Sequence, residues 1–100
     1  RSIMRKVRAR GGFPFLGTLL MTHVGNDFRA SPQRNSWISV QNELIRQMAA
    51  EEDAVLVDLH GAFERAGVPL SALFADYIHP SAEGYRVMAR TWFDAITTPR

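Results

Sequence analysis

The stretch Ala54-Val55-Leu56-Val57-Asp58 decides the fold class of this 100-residue chain. It is apolar on both faces instead of alternating, which is typical of a strand buried inside a parallel sheet. The earlier run Phe13 to Met21 has the same character and carries its proline near the start, where a ladder donor is not needed. Residues 35–52 lie between the two runs and predict a helix, with a wide apolar stripe and Asn35 or Ser36 as its N-cap. Strand, helix and strand in this order predict a right-handed parallel βαβ unit.

The segments on either side extend this pattern into an α/β fold, a parallel sheet between two helical layers. Residues 2–10 look like the end of an amphipathic helix that Gly11-Gly12 stops, and a last helix is predicted from about Ala82 to Thr97, with Pro99 beyond it. Two strands alone would leave both sheet edges exposed, so we expect an N-terminal portion to supply more strands. Residues 1–100 would then be only the C-terminal portion of a single domain.

Composition excludes several classes of protein. A hydrophobic content of 46% with 22% charged residues is ordinary for a globular domain and far from disordered compositions. The chain has no cysteine, so disulfides, thiolate nucleophiles and cysteine-bound metals are ruled out, although this does not indicate a compartment. The apolar run 13–21 is too short to span a membrane, and no small-x-small cleavage site follows it. Neither a signal peptide nor stable membrane insertion is expected.

Positive charge is concentrated at the start of the chain. The first ten residues contain no acid and five basic residues: Arg1, Arg5, Lys6, Arg8 and Arg10. The simplest interpretation is a solvated helix face. Binding of nucleic acid or another anionic surface is an alternative that predicts a strong loss of affinity with salt. No aromatic or recognition motif accompanies the charge, so no nucleic-acid partner is predicted.

Asp76 and His79 are the strongest candidates for chemistry. They lie three residues apart in a polar turn between the second strand and the last helix, on the side of a parallel sheet where ligand sites occur. The Asp76 carboxylate could accept a hydrogen bond from Nδ1 of His79, leaving Nε2 to take a proton from a serine hydroxyl and return it to a leaving alcohol. Alternatively, Asp76 only caps a turn and His79 is a surface histidine. The position of the pair favours the catalytic interpretation.

The segment Phe74 to Ala89 resembles the last conserved block of SGNH (GDSL-type) hydrolases, in which D-x-x-H-P, a glycine and an aromatic residue open the terminal helix. The segments Gly17 to Leu20 and Val57 to Leu59 are similar to two strands of that family, so the resemblance covers nearly the whole chain as a C-terminal half. It implies a flavodoxin-like three-layer fold and a serine esterase acting on carboxylic esters. By the same resemblance, Asp76 would orient His79, and His79 would be the base for a serine.

That serine belongs to an N-terminal G-D-S block that is not in this sequence. The serines that are present lie in the wrong context, namely Ser2, Ser31, Ser36, Ser39, Ser71 and Ser81. Val24-Gly25-Asn26-Asp27 looks like the family's oxyanion G-x-N-D block, but the glycine adjoins Asn26 and the segment follows its strand, so we predict a loop. The nucleophile and the oxyanion hole are therefore expected outside the chain, which alone would be inactive.

No cofactor or metal is predicted. His23, His60 and His79 are far apart in sequence, without i, i+4 pairing or an acidic cluster. Asp58 is expected to be a cap or a loop hydrogen-bonding group.

The leading function is hydrolysis of a small-molecule ester through an acyl-enzyme. A non-catalytic module with the same fold is the second possibility, and anionic-surface binding the third.

Overall fold

The computed structural model describes residues 2–23 and 32–99. Within these ranges the chain forms two strands, β1 and β2, which pair in parallel with Phe15 opposite Val55 and Gly17 opposite Val57. The elements in chain order are α1 (Ser2–Ala9), β1 (Phe15–Gly17), α2 (Pro32–Glu51), β2 (Val55–Val57), α3 (Leu59–Glu64), α4 (Leu70–Leu73) and α5 (Ala82–Thr97). The predicted strand, helix and parallel strand are confirmed.

Helices cover the strand pair, and this confirms the α/β class. Helix α2 packs against both strands, and α5 packs against β2. Val57 is 1% exposed at the end of β2, and Phe63 and Leu73 of α3 and α4 are buried with Phe74 beside them. The cluster of Phe63, Leu73 and Phe74 follows β2 in the chain, and the loop that carries Asp76 and His79 packs against it.

The first strand is shorter than the run Phe13 to Met21 predicted. The strand ends at Gly17, although the N–H of Thr18 still donates to the Val57 carbonyl at 3.0 Å; from Leu19 onward, backbone groups bond to side chains of α2. The predicted N-cap was also wrong, because α2 begins at Pro32 and includes Asn35. Proline is favoured in the first helical turn, where its missing N–H is not needed. Asn35 is thereby free to bond outside its own helix.

Asp58 has the capping role expected of it. Its Oδ1 accepts the backbone N–H of Gly61 at 3.1 Å and the hydroxyl of Thr18 at 3.3 Å, so it starts α3 and ties it to the end of β1. Helices α3 and α4 have six and four residues. Sequence periodicity did not predict them, because segments this short complete barely one or two turns.

The basic cluster of α1 is not a free face at Arg5 and Arg8. The guanidinium of Arg5 bonds to the Glu52 carboxylate at 3.0 Å, and Nε of Arg8 donates to the Glu52 carbonyl at 3.1 Å. Arg8 also bonds to the carbonyl of Asp53. These two residues hold α1 against the turn between α2 and β2, and the Arg5 side chain remains 69% exposed in doing so.

The apolar stripe predicted on α2 divides into two parts. Ile38 and Ala49 are buried against the fold, whereas Trp37, Val40 and Leu44 on the flank of the helix are between 51% and 59% exposed. Among the described residues, no helix has the length and hydropathy needed to cross a membrane.

Candidate active site

The candidate site is built on the loop between α4 and α5, residues 74–80. An antiparallel bridge between Phe74 and Pro80 closes the base of this loop. Within it, the N–H of Ala75 donates to the carbonyl of His79 at 2.8 Å. The N–H of Ser81 donates to the carbonyl of Leu73 at 2.9 Å. The backbone of the loop is therefore fixed by its own hydrogen bonds, and the side chains it carries have defined positions.

Both oxygens of Asp76 are used inside this loop. Oδ1 accepts the backbone N–H groups of Ile78, at 2.8 Å, and His79, at 2.7 Å. Oδ2 lies 2.8 Å from Nδ1 of His79. A carboxylate oxygen only accepts, so this hydrogen bond requires the proton on Nδ1 and leaves the lone pair of Nε2 free in the neutral ring. The backbone N–H of His79, then that of Ile78, then the His79 ring lower the pKa of Asp76 to about 2.

The two predicted site residues are thus brought together in the geometry that the sequence suggested. The His79 side chain is 72% exposed and that of Asp76 is 42% exposed. An exposed imidazole held from one side by a carboxylate can exchange a proton at Nε2 with a group approaching from the other side. The arrangement can therefore act as an oriented base and acid.

The start of α5 fixes the C-terminal end of the loop through Ser81. Ser81 caps the helix, because its Oγ accepts the N–H of Gly84 at 3.2 Å and donates to the Ala72 carbonyl at 2.7 Å. A Cβ on Gly84 would lie only 2.2 Å from the carbonyl oxygen of Leu73. Only glycine lets α5 approach α4 this closely, which is a physical reason for the glycine that follows H-P in the sequence.

The segment after β1, residues 18–23, contacts the loop through His23. The N–H of His23 donates to the carbonyl of Tyr77 at 2.8 Å. The His23 ring stacks on Phe74, with ring centroids 6.1 Å apart and an angle of 11° between the planes. Phe74 in turn contacts Phe63 edge-on at 5.5 Å. His23, which was considered in the sequence only as a metal ligand, is therefore a packing partner of the candidate site.

Two asparagines on α2 bond to this segment, Asn42 near its start and Asn35 beside His23, and sequence reasoning predicted neither contact. Asn35 bonds to Thr22, and Asn42, which is 1% exposed, bonds to the backbone N–H and carbonyl of Leu19 at 2.7 and 2.9 Å. They are seven residues apart, which places them on one face of a helix. Because a buried amide needs partners, amides at this spacing on the core-facing side were the available signal.

A second histidine–carboxylate pair lies on α3. Nδ1 of His60 is 3.1 Å from Oε1 of Glu64, one helical turn later, and the Glu64 side chain is 61% exposed. This is a surface pair of the i, i+4 kind, which usually contributes little to stability. Among the described residues, no group of three or more histidine and acidic side chains is placed to hold a metal ion.

An apolar groove of about 680 Å³ adjoins the loop at Ile78, the residue before His79. Aliphatic and aromatic side chains dominate its walls, which are formed by Leu19, Leu20, Met21, Thr22, Gln33, Arg34, Trp37, Ile38 and Ile78. The Val24-Gly25-Asn26-Asp27 loop predicted from the sequence lies outside the described residues, as do Arg1 and Ser31.

Parallel strands with a histidine–aspartate pair beyond the carboxyl end of β2 define an α/β protein whose candidate site lies on the edge where open α/β sheets usually bind ligands. The family model of the GDSL-like lipase/acylhydrolase family matches residues 1–87. The chain therefore belongs to the GDSL-like lipase/acylhydrolase family, and the predicted family is confirmed. A comparison with curated proteins finds no match.

Solved structures agree with this fold. A catalytic mutant of an acetylxylan esterase from Geobacillus stearothermophilus is similar with a TM-score of 0.78 and 20% identity, over 98% of this chain and 44% of that one. An alpha/beta hydrolase from the metagenome of Lake Arreo, Spain, is similar with a TM-score of 0.68 and 26% identity, over 94% of this chain and 44% of that one. The chain thus spans less than half the length of these structures.

Proposed function

We propose that this chain is the C-terminal portion of a serine ester hydrolase domain and supplies its histidine and aspartate. The observation that carries the proposal is the Asp76–His79 pair, with Oδ2 2.8 Å from Nδ1 and Oδ1 occupied by two backbone N–H groups. The nucleophilic serine and the oxyanion donors would come from the N-terminal portion of the same domain. The residues of this chain alone would then be inactive.

In the proposed mechanism, Nε2 of His79 removes the proton from the serine hydroxyl as its oxygen attacks the ester carbonyl carbon. The tetrahedral intermediate collapses, the bond to the alkoxy oxygen breaks, and His79 donates the proton to the leaving alcohol. A water molecule then attacks the acyl-serine with His79 as base, the bond between the acyl carbon and the serine oxygen breaks, and His79 returns the proton to that oxygen as the carboxylic acid is released. Asp76 stays ionised throughout and stabilises the transient imidazolium.

The similar acetylxylan esterase supports this assignment of roles. Its catalytic mutants replace a serine, an aspartate and a histidine by alanine, and the aspartate and histidine are three positions apart in that protein. Asp76 and His79 have the same spacing. The substrate we propose is a small-molecule carboxylic ester, and acetyl esters are the first to test because of that likeness.

The experiment uses the parent protein, in which this chain is joined to the N-terminal portion, and p-nitrophenyl acetate as substrate. In Asp76→Asn the amide Oδ1 can keep the two backbone bonds of the loop, but Nδ2 cannot accept from Nδ1 of His79. We therefore expect kcat to fall by about ten-thousandfold with the fold intact. His79→Ala, which removes the base, should lose at least as much.

Two matched variants serve as controls. His60→Ala removes the other histidine that is paired with a carboxylate, and Asp94→Asn makes the same carboxylate-to-amide change on the exposed side of α5. Both should keep kcat near the native value. Native activity in His79→Ala and Asp76→Asn would place the chemistry elsewhere, and an inactive native protein would favour a non-catalytic module with this fold.

A further inference from the structure

We propose that Asn35 is a positioning residue for the His79 base and acts through Thr22, His23 and the 74–80 loop. This inference rests on the proposed function, because it concerns the alignment of the proposed base. Asn35 lies on α2, outside the loop and 44 positions before His79 in the sequence. Its influence would therefore pass through its hydrogen bonds to Thr22 and through the hydrogen bond that the next residue, His23, makes to the loop.

The first step is the contact between Asn35 and Thr22. Oδ1 of Asn35 accepts the backbone N–H of Thr22 at 2.7 Å and its hydroxyl at 2.9 Å, and Nδ2 donates to the Thr22 carbonyl at 2.9 Å. One amide thus bonds to all three polar groups of a single residue. Thr22 is 3% exposed, so water does not readily replace these bonds. The position of Thr22 is accordingly set by α2.

The second step leads from Thr22 to the loop through the next residue, His23. Its N–H donates to the Tyr77 carbonyl at 2.8 Å, while the N–H of Ile78 donates to Oδ1 of Asp76 at 2.8 Å. The Tyr77 carbonyl and the Ile78 N–H belong to one planar peptide unit. His23 and Asp76 therefore hold the same peptide plane from its two sides.

A displacement of Thr22 and His23 would rotate that peptide and disturb the acceptor that orients His79. The same Asp76 carboxylate that accepts the Ile78 N–H also bonds to Nδ1 of His79 through its other oxygen. Stacking of the His23 ring on Phe74, at the base of the loop, adds a second contact along this route. Asn35 thus sets the orientation of the imidazole without touching it.

Asn42 supplies an internal comparison. It makes the same kind of amide contact with the backbone of Leu19, at 2.7 and 2.9 Å, on the same face of the same helix. Leu19 lies three residues before Thr22, nearer β1. Loss of the Asn42 amide should destabilise the fold, because it leaves a buried space and removes two hydrogen bonds to the Leu19 backbone, but it should not rotate the Tyr77–Ile78 peptide.

The test compares Asn35→Ala with Asn42→Ala in the parent protein, measuring kcat, KM and the unfolding temperature. We expect Asn35→Ala to lower kcat for p-nitrophenyl acetate by about 10- to 100-fold, with KM nearly unchanged, since small displacements of a catalytic group have effects of this size. Asn42→Ala should lower the unfolding temperature at least as much and keep kcat near native.

Thr22→Val is the milder second variant, in case Asn35→Ala does not fold. It keeps the side-chain volume and removes only the hydroxyl bond to Asn35, so it should lower kcat in the same direction but by less. Native kcat in both Asn35→Ala and Thr22→Val, or equal kcat losses in the two asparagine variants, would overturn the inference. His79→Ala in the same assay separates the two proposals: if it is as active as the native protein, the proposed function itself fails.

Discussion

At the scale of single residues, Asp76 combines two tasks that often fall to different groups. One of its oxygens caps the turn through two backbone N–H groups, and the other orients the imidazole of His79. Because all these contacts are within three residues, they form wherever the 74–80 loop adopts its turn. Local spacing alone could therefore predict the pair.

The titration of Asp76 should report the same contacts. Its pKa is lowered from the ordinary 3.8 to about 2, chiefly by the backbone N–H groups of His79 and Ile78. Since the folded-state pKa lies below the unfolded value, the stabilisation of the loop is fully present above pH 3.8 and is lost as the pH falls toward 2.

The measurement is the pH dependence of the Asp76 carboxyl carbon chemical shift in the parent protein, with the Asp76→Asn spectrum identifying the resonance. We expect a midpoint near 2. A midpoint at the ordinary value would mean that the two backbone bonds to Oδ1 do not form in solution.

At the scale of elements, the close approach of α4 and α5 sets the position of the 74–80 loop relative to the hydrophobic core. Ser81 links the two helices through the Ala72 carbonyl and the Gly84 N–H, and Leu73 is fully buried beneath them. The 74–80 loop spans this junction, so any separation of the helices moves both of its ends.

Gly84→Ala should therefore be destabilising, although alanine is the better helix former. Its Cβ would lie 2.2 Å from the Leu73 carbonyl oxygen, and the required shift should lower the free energy of unfolding by about 1–3 kcal/mol. That cost exceeds the gain in helix propensity, about 1 kcal/mol. Urea denaturation of the parent protein measures the effect, with Arg90→Ala on the exposed side of α5 as the control. A stabilised Gly84→Ala variant would contradict the close packing described here.

Helix α2 shows how one element serves two surfaces. Ile38 and Asn42 face the strands and the segment after β1, whereas Trp37 and Leu44 remain more than half exposed on its flank. From Leu19 onward, amide side chains of α2 bond to backbone groups of this segment that a neighbouring strand would otherwise bind. The apolar run Phe13 to Met21 therefore extends beyond β1, the strand that it predicted.

At the scale of the whole molecule, the described residues form a sheet of two three-residue strands, and much apolar surface remains open to solvent. The strand residues are only partly covered except Val57, and Phe13 and Trp37 are 61% and 58% exposed. The similar solved structures are more than twice as long, since the chain covers 44% of each. Further strands and helices from an N-terminal portion would cover these surfaces.

We accordingly expect residues 1–100 alone not to unfold cooperatively. Urea titration followed by tryptophan fluorescence and by far-ultraviolet circular dichroism should give broad, non-coincident transitions. The chain alone buries too little apolar surface to stabilise a single cooperative fold. The parent protein should give one sharp transition by both probes. A sharp, coincident transition of the 100-residue chain as a soluble monomer would contradict the proposal that it is part of a larger domain.

The sequence by itself determined the features that depend on local pattern. The apolar stretch Ala54 to Asp58 and the preceding helix indicated the parallel α/β class, and the spacing of Asp76 and His79 indicated their hydrogen bond, because periodicity and short-range reach depend on neighbours in the chain. These are the parts of the fold and the candidate site that could be predicted.

Only the tertiary structure decided what the polar groups of distant segments bind. It paired Asn35 with Thr22, placed His23 against Tyr77 and Phe74, and paired Arg5 with Glu52. Each of these contacts joins residues that are far apart in sequence or lie on different elements. Their partners depend on how helices and strands pack in three dimensions, and no local period of the sequence carries that information.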